Sequence, residues 1–394
     1  MLDWLIIGGG IHGTHLSNVL IHRCGVAADR LVVLDPFEEP MARWRHCTKN
    51  TGMTHLRSPV VHHVGLDPMG LDHFAKKGPG RSVASFRPPY ARPSLRLFEA
   101  HCSHICEEGD LTSVRKKGRA VGLSGCHQTG FRVETDQGLL EARRVVLAMG
   151  SAESLTWPGW ARELESQGAR VWHLFDMDFE IGRCEEADEV MIIGFGISAA
   201  QFALRLASKR GPGVRVISRH GLRVHQFDSE PCWVGPRCQV PFRKLKDYRE
   251  RRQAITEARH RGSMPRDIAR AFQHHVQWGR IDWSVSEIES SRVVDDSGIE
   301  LGLCDGSVVR GDAVVLATGF EPPRPDRSWL AEAMEALDLV CASCGFPIVD
   351  EALQWKPGLH VSGPLAELEL GPAARNIAGA RMTSRRLAAV AGSS

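Results

Sequence analysis

The sequence predicts an α/β fold with two parallel-sheet domains, the first of them interrupted by the second. Two observations carry that expectation. A strand–glycine-turn–helix segment opens the chain, and a second copy follows 186 residues later (194 − 8). The chain holds 39 glycines in 394 residues, above the typical ~7%, and several fall in those turns.

In the first segment, Trp4, Leu5, Ile6 and Ile7 form a short continuous apolar run, as in a strand covered on both faces of a parallel sheet. It enters Gly8-Gly9-Gly10-Ile11-His12-Gly13, followed by a helical pattern with Leu16, Val19 and Leu20. This is G-x-G-x-x-G between strand and helix. Gly8 permits the tight turn, Gly10 lets backbone approach a pyrophosphate, and Gly13 lets helix and strand pack closely. The helix N-terminus then offers unpaired N–H groups to phosphates. A second apolar run, Leu31–Leu34, ends in Asp35, 22 residues after Gly13 (35 − 13), where a carboxylate can accept hydrogen bonds from ribose hydroxyls.

The second segment has the same order. The run Val190–Ile193 enters Gly194-Phe195-Gly196-Ile197-Ser198-Ala199 and a helix through Leu206. Ala199 replaces the third glycine, a substitution the fingerprint allows. The next strand, Val214–Ile217, is followed by Ser218, Arg219 and His220 rather than an acid. A carboxylate would repel a 2′-phosphate and Arg219 can pair with one, so NADPH is favoured over NADH. Two complete turns imply two dinucleotides, a hydride donor and an acceptor, and hence two Rossmann-like domains.

Three further segments extend the pattern. Val145–Gly150 and Val314–Phe320 are strands ending in A-x-G turns at Gly150 and Gly319. The third runs from Pro357 to Gly363 and continues through Gly371 and Asn376 to Arg381; a helix N-terminus there would stabilise negative charge. The expected organisation is an FAD-binding part at 1–155, an NADPH-binding domain at 156–310 with a helical insertion at 242–278, and a return to the FAD domain at 311–394. Within the insertion, Arg243 to Arg261 holds eight Lys/Arg and three Asp/Glu, a local +5, and Gly262-Ser263-Met264-Pro265 divides it into two helices. It reads either as a lid or NADPH clamp, or as a solvated hairpin or dimer surface. The loop Phe227–Pro236 is a candidate lining of the substrate pocket.

The whole chain resembles the two-dinucleotide-binding flavoproteins. Among them it is most similar to the flavin-containing and N-hydroxylating monooxygenases, the group of lysine and ornithine N-hydroxylases. Gly194-x-Gly196-x-Ser198-Ala199 matches the Ser-Ala form of their NADPH turn, and the stretch at Thr318-Gly319-Phe320 looks like their crossing between domains. His55-Leu56-Arg57-Ser58-Pro59, after Thr51-Gly52-Met53, is similar to their T-L-R-D-P stretch beside the flavin ring. Trp44 and Arg45, with the polar run His46–Thr54, stand where their flavin-covering loop does. The resemblance thus implies Met53, Thr54, His55 and Arg57 as flavin-ring neighbours. Departures are also present. In the F-x-G-x-x-x-H signature of flavin-containing and Baeyer–Villiger monooxygenases only His173 fits, since Gln167 and Ala169 hold the other positions. No lysine before Thr51 has a clear match to the one that grips the ornithine carboxylate.

The resemblance implies an enzyme that uses FAD, NADPH and O2 to oxygenate a small nucleophilic amine, thiol or other heteroatom through a C4a-(hydro)peroxyflavin. No residue receives a catalytic assignment, because the cofactors carry most of this chemistry. The alternatives are an NADPH-dependent flavin reductase of a disulfide or quinone, with Cys341 and Cys344 as relay, and a redox-sensing flavoprotein without turnover.

The remaining composition narrows the class. Lys+Arg 49 against Asp+Glu 47 leaves +2, so no global field recruits nucleic acid or anionic membrane. No apolar run approaches the roughly 20 residues of a membrane span, and the N-terminus lacks a signal-peptide order. A cytoplasmic location is expected, and homo-oligomerisation is open. Eleven cysteines in a chain of this length read as thiols rather than a disulfide framework. Cys341-Ala-Ser-Cys344 is either a redox pair or a turn with two thiols. With no second CxxC, and with the His101–Cys106 cluster read as the packed side of a helix, no metal is expected. His62 and His63 read as acid–base candidates or as satisfied histidines.

Overall fold

The computed structural model describes residues 1–150, 154–210, 213–294, 298–322, 324–325 and 328–392. Its two main sheets are built on one plan. In the first, Leu2–Ile7 pairs in parallel with Leu31–Asp35 on one side and Gly138–Leu147 on the other. In the second, Val190–Ile193 pairs in parallel with Val214–Ser218 and Ala313–Leu316. In each case the last residue before the glycine turn is matched on both sides: Ile7 by Leu34 and Leu147, Ile193 by Ile217 and Leu316.

Each plan also contains an antiparallel three-stranded meander before the chain returns beside its first strand. Ala120–Cys126, Gly130–Thr135 and Gly138–Leu147 form one; Ile288–Val294, Gly298–Leu303 and Val308–Gly311 form the other. The sequence carries no repeat beyond the two turns, yet the topology is duplicated. A meander can change all its residues while keeping its strand pairing, so the repeat survives in the register alone.

The central strands are buried on both faces: Leu5, Ile6, Val145 and Val146 in the first sheet, Val190, Ile192, Val314 and Val315 in the second, are fully enclosed. The first sheet is completed by Arg115–Lys117 on one edge and by Leu359–Val361 with Gln354–Lys356 on the other. The C-terminal segment therefore does return to the first sheet. Crossing is made by paired linkers: Leu155 and Phe320 form an antiparallel bridge, and Thr156 N–H donates to the Gly319 carbonyl at 3.0 Å.

Three expectations need correction. The second domain does not end at 310, because Ala313–Leu316 is hydrogen-bonded inside its sheet. The helix Arg266–Gln277 is not insertion: it connects Val214–Ser218 to its parallel neighbour Asp282–Val285, and a parallel pair requires such a crossover. The inserted helices are Pro236–Lys244 and Tyr248–Ala258. Finally, the polar stretch read as a flavin-covering loop is mostly the helix Ala42–Thr51. In contrast, the helix Leu95–Glu108 buries Phe98 and Cys102 as its spacing predicts, and Ser94 caps it by accepting from Leu97 N–H at 3.2 Å.

The thiol expectation also fails at one place. Cys232 and Cys238 are joined in a disulfide with Cα atoms 5.3 Å apart, leaving nine cysteines outside any disulfide. Denatured, unreduced protein is therefore expected to titrate nine thiols with Ellman's reagent, rising to eleven after reduction. Eleven before reduction would mean that the bond is not formed.

Candidate cofactor site

Both glycine turns have the shape that a bound dinucleotide needs. Gly8 and Gly194 take φ of +109° and +111°, and a Cβ on either would lie 2.6 or 2.7 Å from the carbonyl oxygen of Ala148 or Ala317. Only glycine fits there. Each donates its N–H to the neighbouring strand, Gly8 to Leu34 O at 2.8 Å and Gly194 to Ile217 O at 2.9 Å. A Cβ on Gly13 would stand 1.8 Å from Gly8 O, whereas one on Gly10 would meet nothing within 4 Å. That open space beside an uncapped helix is where a pyrophosphate would approach.

The helix ends support this fit. Ile11–His22 and Ile377–Ala391 have no side-chain cap, and neither they nor Ile197–Arg210 carry an acid in the first turn. Such ends leave N–H donors and positive dipole potential for an anion. His12, inside the first turn, ties two of these ends together. Its Nε2–H donates to Asn376 O at 3.1 Å, so Nδ1 is the acceptor for the Ser362 hydroxyl at 2.8 Å. Burial lowers its pKa to about 4, and it stays neutral. The motif reading treats position 12 as arbitrary; the contact spans 364 residues and has no local trace.

Asp35 ends the second strand as expected. Its carboxylate accepts from Gly9 N–H at 2.5 Å and from Phe37 N–H at 3.0 Å. Arg115 surrounds the same loop, donating to carbonyls of Glu38, Phe37, Glu39 and Gly9 at 2.9 to 3.4 Å. Nothing in the sequence near Arg115 points to this role.

The segment after the first turn is a bridge between domains. Asn50 Nδ2 donates to Phe179 O at 2.7 Å, and Arg205, on the helix after the second turn, donates to the Lys49 carbonyl. Arg57 is the strongest tie. Its guanidinium donates to the carbonyls of Gln226 (2.9 Å), His225 (2.9 Å) and Phe227 (2.7 Å) and to Ser263 Oγ (2.9 Å). These bonds tie the Arg57 guanidinium to the second domain. His55 reaches Ser85 Oγ at 3.3 Å, and the Thr54 carbonyl accepts from Leu95 N–H at 2.9 Å. Met53 packs on the cluster that holds Trp44, whose ring lies 5.0 Å from Phe98; Arg45 donates to Ser103 Oγ at 3.3 Å.

On the second turn, Ser198 lies in the first turn of the helix Ile197–Arg210 and Arg219 is exposed just past the strand Val214–Ser218. Gly196 faces the insertion, the nearest atom to a Cβ there being Gly262 Cα at 3.6 Å. The turn at Gly262–Pro265 thus rests on the second glycine turn, as a clamp would, while Ile255 packs with Leu368 of the C-terminal segment. Gly150 and Gly319 stand at the two linker ends. There Thr318 Oγ1 donates to Thr156 O at 2.5 Å and meets His173 Nε2 at 3.3 Å, so the single matching histidine of the absent signature packs at the paired linkers.

The C-terminal segment is held by buried charge. Burial pushes the Glu367 carboxyl up, but Arg375 (Nε–Oε2 2.5 Å) and Arg252 overcome this and hold it below the usual range. Trp233, between the disulfide cysteines, covers Gly371, and Gln239 Nε2 donates to Leu370 O at 2.8 Å. The loop after Phe227 therefore lies on the C-terminal segment. Neither Cys341 nor Cys344 is in a disulfide, and Cys344 packs with the apolar cluster of Phe242, Ile255 and Phe346. The disulfide of the structure, Cys232–Cys238, lies elsewhere. His62 and His63 are depressed by burial to about 4 and about 2; His63 meets Pro68 O at 3.2 Å and packs on His101, and reads as a satisfied core residue.

Comparison with known proteins agrees with this architecture. Residues 5–152 match the FAD-NAD(P)-binding family model. Ornithine hydroxylase from Pseudomonas aeruginosa superposes with a TM-score of 0.76 at 16% identity, over 100% of this chain and 99% of its own. The FAD-bound cadaverine monooxygenase of desferrioxamine biosynthesis from Erwinia amylovora gives 0.74 at 15%, over 100% and 95%. The chain has the fold of the two-dinucleotide-binding flavoproteins. A bacillithiol disulfide reductase from Staphylococcus aureus shares that fold less closely, at 0.61 and 14% identity over 99% and 97%. No curated protein matches the chain. Among the described residues no helix is long and apolar enough to cross a membrane.

Proposed function

We propose that this flavoprotein is an NADPH-dependent monooxygenase that uses O2 to oxygenate a small nucleophilic substrate, an amine in the first instance. One observation carries the reading: a duplicated parallel sheet, each copy ending in a glycine turn whose first glycine takes a positive φ, in a chain that superposes end to end on amine hydroxylases. Bound FAD supplies hydride acceptance and the activation of oxygen.

The chain's own residues bind and orient. Gly8, Gly10, Gly13 and Asp35 would hold the FAD pyrophosphate and ribose, with the first turn of the helix Ile377–Ala391, after Asn376, offering N–H groups to the flavin. Gly194, Gly196 and Ser198 would hold the NADPH pyrophosphate. Arg57 and Asn50 join the two cofactor halves through carbonyls of the second domain, which keeps donor and acceptor rings in one geometry. The Gly262 turn over Gly196 and the Trp233 indole over Gly371 limit water at the cleft, as a site that must not waste reducing equivalents requires.

Arg219 would pair with the 2′-phosphate. Arg219→Ala is expected to raise KM for NADPH by about 10- to 100-fold, the worth of a charge-assisted hydrogen bond, with little change for NADH. Equal effects on both nucleotides would remove that role. The function itself is tested by following NADPH, oxygen and peroxide in air with candidate amines and thiols. Oxygen consumed into product without peroxide is the expected result. Turnover without oxygen on a disulfide or quinone, or no NADPH oxidation at all, would overturn it.

A further inference from the structure

We propose that His225, His260 and Glu230 form a binding site for a divalent transition ion, Zn2+ in the first instance, that staples the inserted turn to the second domain. The inference does not depend on the oxygenase reading. It rests on three side chains from two segments whose ligand atoms all lie within 4.8 Å of one another. His260 Nε2 is already 3.2 Å from Glu230 Oε1, and the two imidazoles lie face to face with centroids 3.7 Å apart.

Tetrahedral zinc with bonds of about 2.1 Å holds its ligand atoms about 3.4 Å apart. The contact to Glu230 has that spacing, and rotation of the exposed His225 side chain supplies the rest. The backbones need not move, because both are fixed. His225 N–H donates to Met264 O at 3.1 Å, and His260 N–H donates to Asp228 O at 2.8 Å. Two imidazoles and one carboxylate leave a fourth position for water and favour Zn2+, Ni2+ or Cu2+ over the hard ions Mg2+ and Ca2+.

The charges around the site are mixed. Asp228, paired with Arg259 at 2.8 Å, and Glu230 are acidic; Arg57, bound to the His225 carbonyl, is the facing cation. A neutral imidazole is the form that ligates a metal. The segment of His225 and Glu230 meets that of His260 beside the turn at Gly262, which rests on Phe195 and Gly196, so an ion here would fasten that turn over the second glycine turn.

The test is titration of chelator-stripped holoprotein with Zn2+ against a chromophoric chelator, with a thermal melt at each point. One ion per chain and a rise in Tm are expected. H225A, H260A and E230Q should each weaken binding by about 10- to 100-fold and lose the rise in Tm. C304S, which removes an exposed thiol, should leave both unchanged. Co2+ substitution gives a second readout, since a four-coordinate nitrogen–oxygen site yields visible absorption bands that the histidine variants should lack. No stoichiometric binding in the wild type, or unchanged binding in H225A and H260A, overturns the proposal.

Discussion

Gly13→Ala is expected to yield protein without flavin and with greatly reduced stability, while Gly10→Ala yields folded protein that binds flavin poorly. The added methyl at position 13 would stand 1.8 Å from Gly8 O, so helix Ile11–His22 must separate from the strand Leu2–Ile7. Forced overpacking of this kind costs typically about 1–3 kcal/mol and occasionally more, and here the displaced atom is backbone, which cannot rotate away. At position 10 the methyl meets nothing and φ is −71°, so the apoprotein should melt close to wild type. The methyl would instead occupy the volume of the pyrophosphate. Flavin absorbance per chain and apoprotein melts separate the two effects. A Gly10→Ala protein with a full complement of flavin would mean that the nucleotide lies elsewhere.

Acid is expected to unfold the protein between about pH 6 and 5, far above the range in which carboxylates titrate. His15, His101, His173 and His360 are all at most 2% exposed, and burial is the first cause that lowers each to about 4. His15, for example, meets Val64 O at 2.9 Å and Ser384 Oγ at 3.1 Å, with the Arg381 charge opposing protonation. For a base held below its unfolded value of 6.5, the unfolded chain binds more protons between the two values. The contribution of neutral burial is therefore intact above 6.5 and lost as pH falls toward 4. Each group costs about 1.4 kcal/mol per pH unit in that window, so four of them remove about 8 kcal/mol by pH 5. That is comparable to the whole stability of a typical domain, about 5–15 kcal/mol. Circular dichroism against pH, with tryptophan fluorescence in parallel, measures the midpoint. A flat profile down to pH 4 would mean that these rings are solvated.

Much of the site could be read before any coordinates because its chemistry is local. A glycine turn is decided by residues within six positions of each other, by the apolar run before it and by the amphipathic helix after it. Gly8, Gly13 and Gly194 behave as their spacing predicts because the steric conflict at each is with backbone that any residue would present. The resemblance places Arg57 beside the flavin ring, but its partners are carbonyls at 225–227 that no spacing rule connects to it.

From the sequence alone came the two nucleotide turns, the order of the two folding units and the return of the C-terminus to the first. Each is written in short-range patterns of apolar and glycine residues, which act through a few neighbouring peptides. Only tertiary structure decided that His12 joins the first turn to Asn376, that Cys232 and Cys238 are bonded, and that Arg266–Gln277 is a crossover rather than part of the insertion. It also decided where His225 meets His260. Those features depend on which surfaces come together after the sheets have formed, and a contact across hundreds of residues leaves no periodicity to read.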